Sequence, residues 1–286
     1  MRIIDIITIA SEHLKEKGFE NSRLEVERML GSMLGMTRLD LYMAFDRPLT
    51  DDERERFRNM FRRRLSHEPL QHITGSSGFR ELDVKTDRRA LIPRCETELL
   101  VEIAVDFLKG CGHPFVADIG TGSGVIALSI AYEIDDSSVV AVDISDEALA
   151  VAEQNAQSLG VEDRVLLVRG DMLGGLEDHG LFDAILSNPP YVRSSDIASL
   201  QPEVSRYEPR VALDGGPDGL RFLREIACGA HLHLKPGGLL LLECGDDQAE
   251  TVRKEIGKTG CYSESDIVKD LTGKKRIIKA INKQNS

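Results

Sequence analysis

Residues 115–124 read Phe-Val-Ala-Asp-Ile-Gly-Thr-Gly-Ser-Gly, and an apolar helical pattern at 125–134 follows directly. An apolar run, a glycine-rich turn and a helix start, in that order, open an α/β unit whose ligand sits at the strand end. Gly120, Gly122 and Gly124 let a backbone pass close to a bound group. The dinucleotide fingerprint needs G-x-G-x-x-G; here the third glycine comes one residue early and position 125 is Val, which disfavours NAD. A second apolar run, 139–142, ends in Asp143, 23 residues beyond Gly120, where a carboxylate can bind both hydroxyls of a ribose. Asp118 stands just before the glycines, where it or its neighbours can receive an ammonium group. A nucleoside with a charged amino-acid tail and no pyrophosphate fits this pattern, and S-adenosylmethionine is such a molecule.

The third apolar run, 164–168, leads into Arg169-Gly170-Asp171-Met172, and the fourth, Phe182–Ser187, into Asn188-Pro189-Pro190-Tyr191. Asp171 can accept the adenine amino group while Met172 covers the ring face, although a lone Asp-Met pair in a loop is unremarkable. Asp118, Asp143, Asp171 and Asn188 all stand at the carboxyl ends of strands, where open α/β sheets bind ligands. With Gly120, Thr121, Gly122, Ser123, Gly124 and Met172 they form the candidate cofactor site. Asn188, Pro189, Pro190 and Tyr191 are the candidate catalytic set, because their chemistry suits methyl transfer onto a planar nitrogen. Such a nitrogen is a poor nucleophile, its lone pair being delocalised. The Asn188 side-chain oxygen and a main-chain carbonyl of a proline-stiffened turn can each accept one N–H and stabilise the charge that grows on nitrogen. Tyr191 can lie against the flat substrate. Taken alone, Asn-Pro is equally an ordinary strand-ending turn.

The glycine loop, Asp143, Asp171 and Asn188-Pro189-Pro190-Tyr191 resemble class I S-adenosylmethionine-dependent N-methyltransferases, which act on adenine, guanine or glutamine nitrogen. Leu91-Ile92-Pro93-Arg94-Cys95-Glu96-Thr97-Glu98, Tyr207-Glu208-Pro209-Arg210 with Ala212-Leu213, Gly215-Gly216, and Glu243-Cys244-Gly245 are similar to the HemK (PrmC) family over nearly the whole chain. That resemblance implies an α/β fold: a Rossmann-like seven-stranded methyltransferase sheet, its last strand inserted antiparallel, with a small N-terminal helical domain. It also implies direct methyl transfer to the glutamine of the Gly-Gly-Gln motif in class I peptide chain release factors, leaving S-adenosylhomocysteine. Cys95 stands where the family usually has a second proline, which bears on the stiffness of that loop and not on the chemistry.

At 286 residues and 41% apolar content the chain can build a large core with a small companion. No run of about 18 apolar residues occurs, and Asp5 falls where a signal peptide would be apolar, so a cytoplasmic protein without membrane contact is expected. Five cysteines without a C-x-x-C pair point to neither disulfides nor zinc, and His231 and His233 read as packing or surface residues. The net charge is −12, with 17 basic and 16 acidic residues in 1–90 against 19 and 32 in the remainder. An acidic catalytic part favours a protein substrate over duplex DNA or structured RNA. A monomer is expected. The arginine stripe Arg54, Arg56, Arg58, Arg62, Arg63 and Arg64 reads as a solvated helix face, or else as a docking surface.

Short helices are predicted over the first 66 residues, from the spacing of Ile3, Ile4, Ile7 and Leu14 and from capping boxes at Ser22 with Glu25 and at Thr50 with Glu53. Gly-Ser-Ser-Gly at 75–78 predicts a turn between extended segments 72–74 and 79–84. The expected division is a helical substrate-recognition domain over 1–70, a hairpin linker over 71–95 and the methyltransferase domain over 96–286, with a last strand at 276–281 and a polar tail at 282–286. The long connection between Tyr191 and Leu220 is expected to shape the substrate entrance, ordered by ion pairs of Glu208 and Arg210. Rival readings are methylation of a ribosomal-protein glutamine or of a flipped-out adenine, a non-catalytic binding module, and a cofactor-dependent oxidoreductase. Melting shifts with S-adenosylmethionine and with NAD discriminate the last.

Overall fold

The computed structural model describes residues 1–283, so the last three residues of the expected polar tail lie outside the described residues. The chain divides into two compact units, one of Met1–Ser76 with Gln201–Tyr207 and one of Ser77–Leu200 with Glu208–Ser286.

The first unit holds α1 (Ile3–Glu16), α2 (Ser22–Leu34), α3 (Arg38–Met43), α4 (Asp51–Leu65) and α5 (Leu70–Thr74). Residues three and four apart bury one stripe of each helix, Ile3, Ile7, Ala10 and Leu14 on α1 joining Val26, Leu30 and Met33 of α2 in a single core. The box at Thr50 and Glu53 forms reciprocally, with backbone-to-side-chain bonds of 2.9 and 3.2 Å. The one expected at Ser22 does not. Ser22 is already inside the helix and donates its hydroxyl to the Phe19 carbonyl, while Glu25 is taken by Arg64.

Most of the arginine stripe is satisfied within this unit. Arg54 pairs with Asp51, Arg58 and Arg62 with Glu55, and Arg63 with Glu68. Arg64 is buried over the Phe19 ring, 4.2 Å from its centroid, and ion-pairs with Glu25 at 2.6 Å and Glu203 at 3.0 Å. Glu203 lies on the short helix Pro202–Tyr207, so part of the long connection belongs to the helical unit, where Tyr207 also donates to the Ser66 carbonyl.

A hairpin of β1 (Ser76–Phe79) and β2 (Leu82–Lys85) follows. Residues 72–74 are helical, and Gly75, at φ +83°, ends the helix, so Gly-Ser-Ser-Gly enters the first strand instead of turning. The turn falls at Arg80, whose φ of +49° is held by a guanidinium bidentate to Glu133 and an N–H to Glu98. Then come α6 (Cys95–Leu108), β3 (Phe115–Ile119), α7 (Val125–Glu133), β4 (Ser138–Asp143), α8 (Asp146–Leu159), β5 (Val165–Arg169), β6 (Phe182–Ser187), α9 (Pro202–Tyr207), α10 (Arg221–Gly229), β7 (Leu234–Glu243), α11 (Ala249–Thr259), β8 (Tyr262–Lys269) and β9 (Lys275–Asn282).

The seven-stranded sheet runs β5-β4-β3-β6-β7-β9-β8, parallel except for β9, which pairs antiparallel with both β7 and β8. Strand β8 had no clear sequence signal, because Ser263, Glu264, Asp266 and Lys269 on this edge strand interrupt any apolar run. Alternation sends Leu239 and Leu241 of β7 into the core under α6 and α7, and Leu240 and Leu242 into the opposite core under α10 and α11. Among the described residues no helix is long and apolar enough to cross a membrane, and all five cysteines are free thiols.

Candidate active site

The chain runs from β3 to β4 to β5 toward one edge and then returns to place β6 on the other side of β3. A ligand crevice is expected at that reversal. Register puts Ile119 beside Ser187, so Gly120 and Asn188 leave the sheet as neighbours. A cleft there is lined by Gly120, Gly122, Asp143, Asp171, Met172, Asn188 and Pro190.

The glycine turn is pinned by the N–H groups of Gly120 and Thr121, both donating to the Val142 carbonyl. At φ +72° and +58°, Gly120 and Gly122 occupy left-handed backbone that a side chain disfavours. Asp143 accepts the Gly122 N–H at 2.8 Å and the Ser145 N–H at 2.9 Å, which orients its carboxylate at the cleft wall, and burial raises its pKa. Met172, with φ +46°, is a non-glycine residue held in sparsely populated backbone at the same wall. Arg89, Ile144 and Phe222 also line the cleft, and sequence reasoning did not single them out.

Other expected site residues adjoin this cleft without lining it. Thr121, Ser123, Gly124 and Pro189 are not among the cleft-lining residues; Thr121 and Ser123 are buried, and the Thr121 hydroxyl donates to Asp118. Tyr191, expected against a flat substrate, is partly buried and packs against the core, and its hydroxyl donates to Glu243 at 3.2 Å. Gln248 donates to the Tyr191 and Gly219 carbonyls, and a Cβ on Gly215 would come within 2.7 Å of the Pro190 carbonyl, so glycine at 215 lets this turn be packed tightly. Glu208 and Arg210 are both ion-paired, Glu208 with Arg94 at 2.6 Å and Arg210 with Asp214 at 3.0 Å. Burial raises the Glu208 pKa, and Arg94 offsets part of that cost.

Asp118 lies beneath the turn, fully buried; its Oδ2 accepts from Thr121 Oγ1 at 2.6 Å and the Ala127 N–H at 3.2 Å, and Oδ1 has no partner. Desolvation pushes its pKa up to about 7. The folded state therefore holds this proton more tightly than the unfolded chain, whose carboxyl titrates near about 4. Stability from this group is present at low pH and is lost as pH rises from about 4 through about 7. Asp118→Asn is expected to remove that slope: in the ligand-free protein, the variant's melting temperature should gain on the wild type between pH of about 5 and about 8. A difference that does not change with pH would show that Asp118 does not titrate there.

The residues present suit a cationic nucleoside: glycine backbone at the cleft wall, an oriented carboxylate one strand over, and a buried carboxylate oxygen left unpartnered below. Two family patterns match the chain, the PrmC N-terminal domain over residues 5–75 and the methyltransferase small domain over 97–201. A release factor glutamine methyltransferase of Geobacter sulfurreducens is 45% identical over 89% of each chain. One of Moorella thermoacetica is 41% identical over 96% of each. A methyltransferase from Pyrococcus furiosus, 20% identical, shares the fold with a TM-score of 0.51 over 82% of this chain and 100% of that one.

Proposed function

This chain belongs to the family of release factor glutamine methyltransferases, and from that premise we propose that it methylates N5 of the glutamine in the Gly-Gly-Gln motif of a class I peptide chain release factor. The methyl donor is S-adenosylmethionine and the product S-adenosylhomocysteine. The observation that carries this reading is that Asn188 and Pro190 line the same cleft as Gly120, Gly122, Asp143 and Asp171. When bound, the sulfonium supplies an electrophilic methyl group. Gly120 and Gly122 would lie along the amino-acid tail, Asp143 would take the ribose hydroxyls, and Asp171 with Met172 would hold the adenine. Asn188 Oδ1 accepts one N–H of the substrate amide, aims its nitrogen, and stabilises the positive charge developing there. A strong base is not required, because the amide proton becomes acidic only after methylation and can leave to water.

Incubation of the protein with labelled S-adenosylmethionine and purified release factor, followed by peptide mass mapping, tests the proposal. Label on the Gly-Gly-Gln glutamine is the expected result; label elsewhere, or none, would overturn it.

We assign protein-substrate recognition to the helical unit. Arg58 and Arg62 keep 63% and 68% of their side-chain surface exposed. Charge reversal of both to Glu is expected to raise KM for intact release factor several-fold at low salt with little effect on a short Gly-Gly-Gln peptide. That difference should shrink as salt rises, since exposed charges are screened beyond roughly 10 Å at 0.1 M. Equal losses on protein and peptide would give the bundle a supporting role only.

A further inference from the structure

We propose that Thr97 and Glu243 are positioning residues that set the orientation of the Asn188 amide, turning its oxygen toward the substrate nitrogen. The inference rests on the role given to Asn188 above and adds what makes that role possible. Asn188 Nδ2 donates to Thr97 Oγ1 at 3.0 Å, and Asn188 makes no other side-chain hydrogen bond among the described residues. Thr97 Oγ1 in turn donates to Glu243 Oε2 at 2.7 Å, and Tyr191 donates to Oε1 of the same carboxylate. Thr97 and Glu243 are 2% and 1% exposed, so water does not compete for the bond between them.

Proton counting decides the direction of the chain. Burial raises the Glu243 pKa, and the hydroxyls of Thr97 and Tyr191 that bond both its oxygens favour the carboxylate; in that form it can only accept, so the single hydroxyl proton of Thr97 is committed to it. What Thr97 has left for Asn188 is a lone pair, which requires an N–H. The amide must therefore present Nδ2 to Thr97, and its other end, Oδ1, is the group free to accept from an incoming NH2. Burial also holds the Tyr191 phenol above its usual pKa, keeping it a donor to Glu243. Were the Thr97 hydroxyl absent, the amide nitrogen would face an apolar wall. Turning over would relieve it, but would set N–H against N–H in the cleft. Thr97 comes from the first turn of α6, Glu243 from the end of β7 and Asn188 from the end of β6, so three elements converge on one amide.

Thr97→Val keeps the shape and deletes the hydroxyl, whereas Thr97→Ser keeps the hydroxyl. In release factor methylation, the valine variant is expected to lose kcat by at least about tenfold, the scale of leaving a buried donor unpaired. Its KM for the release factor and its affinity for S-adenosylmethionine should stay within about twofold of wild type, below the effect of a lost neutral hydrogen bond. The serine variant should recover most of kcat. A second readout does not use activity. With nitrogen-15 asparagine labelling, the Asn188 side-chain proton bonded to Thr97 should exchange more slowly with solvent in the wild type and in Thr97→Ser than in Thr97→Val. Valine and wild type alike in kcat, serine as impaired as valine, or amide exchange no slower in the wild type than in Thr97→Val would each overturn the inference. A wild-type protein that methylates no release factor would overturn the functional reading, and the amide spectra would still decide the orientation.

Discussion

Asn188→Ala is expected to lower kcat by about 100-fold or more while leaving affinity for S-adenosylmethionine and S-adenosylhomocysteine within a few-fold, as for loss of an aligned group that acts on transition-state charge. The side chain stands at the end of β6 with its nitrogen tied to Thr97 and its oxygen otherwise unused. Removing it takes away both the aim of the substrate amide and the acceptor that meets its growing positive charge. Core packing should survive, because Asn188 is only partly buried and lines the cleft. Single-turnover rates, with cofactor affinity from calorimetry, separate the two quantities. A variant keeping more than about a tenth of the wild-type kcat, well above what loss of such a group leaves, would take Asn188 out of the chemistry.

The second large effect is expected at Asp143, and there it falls on binding. Asp143→Ala should weaken S-adenosylmethionine and S-adenosylhomocysteine together by about 10- to 100-fold, the scale of losing hydrogen bonds to a charged group. The product should suffer as much as the donor, since both carry the same ribose. Part of the loss arises within the protein, because Asp143 also accepts the Gly122 N–H and so braces the glycine turn. Burial raises the Asp143 pKa, so ligand affinity in the wild type should begin to fall at a higher pH than for an ordinary carboxylate as acid is added, and this limb should vanish in the variant. Unchanged affinity in calorimetry would remove Asp143 from the site.

Much of the catalytic unit was legible before any tertiary structure. The β3 turn and the β4 strand ending in Asp143 announced themselves because glycine spacing, apolar runs and strand ends are local properties of the backbone. The cap at Thr50 and Glu53 was legible for the same reason, as it closes within one turn. The similar-looking pair Ser22 and Glu25 misled because Glu25 had a better partner in Arg64, 39 residues away. Arg64 itself looked like one more surface arginine. Its burial depends on an acid, Glu203, contributed by a segment 139 residues further on.

By itself, then, the sequence determined that three strands lead to Asp143, Asp171 and Asn188, since strand ends follow from local periodicity. Tertiary structure alone decided that β6 lies beside β3, which brings Asn188 next to Gly120. It also decided that Thr97 and Glu243, 146 residues apart, meet behind that asparagine, and that Tyr191 braces them from the core side. The physical reason is that a buried donor or acceptor must find a partner, and no rule of sequence spacing says which distant residue will supply it.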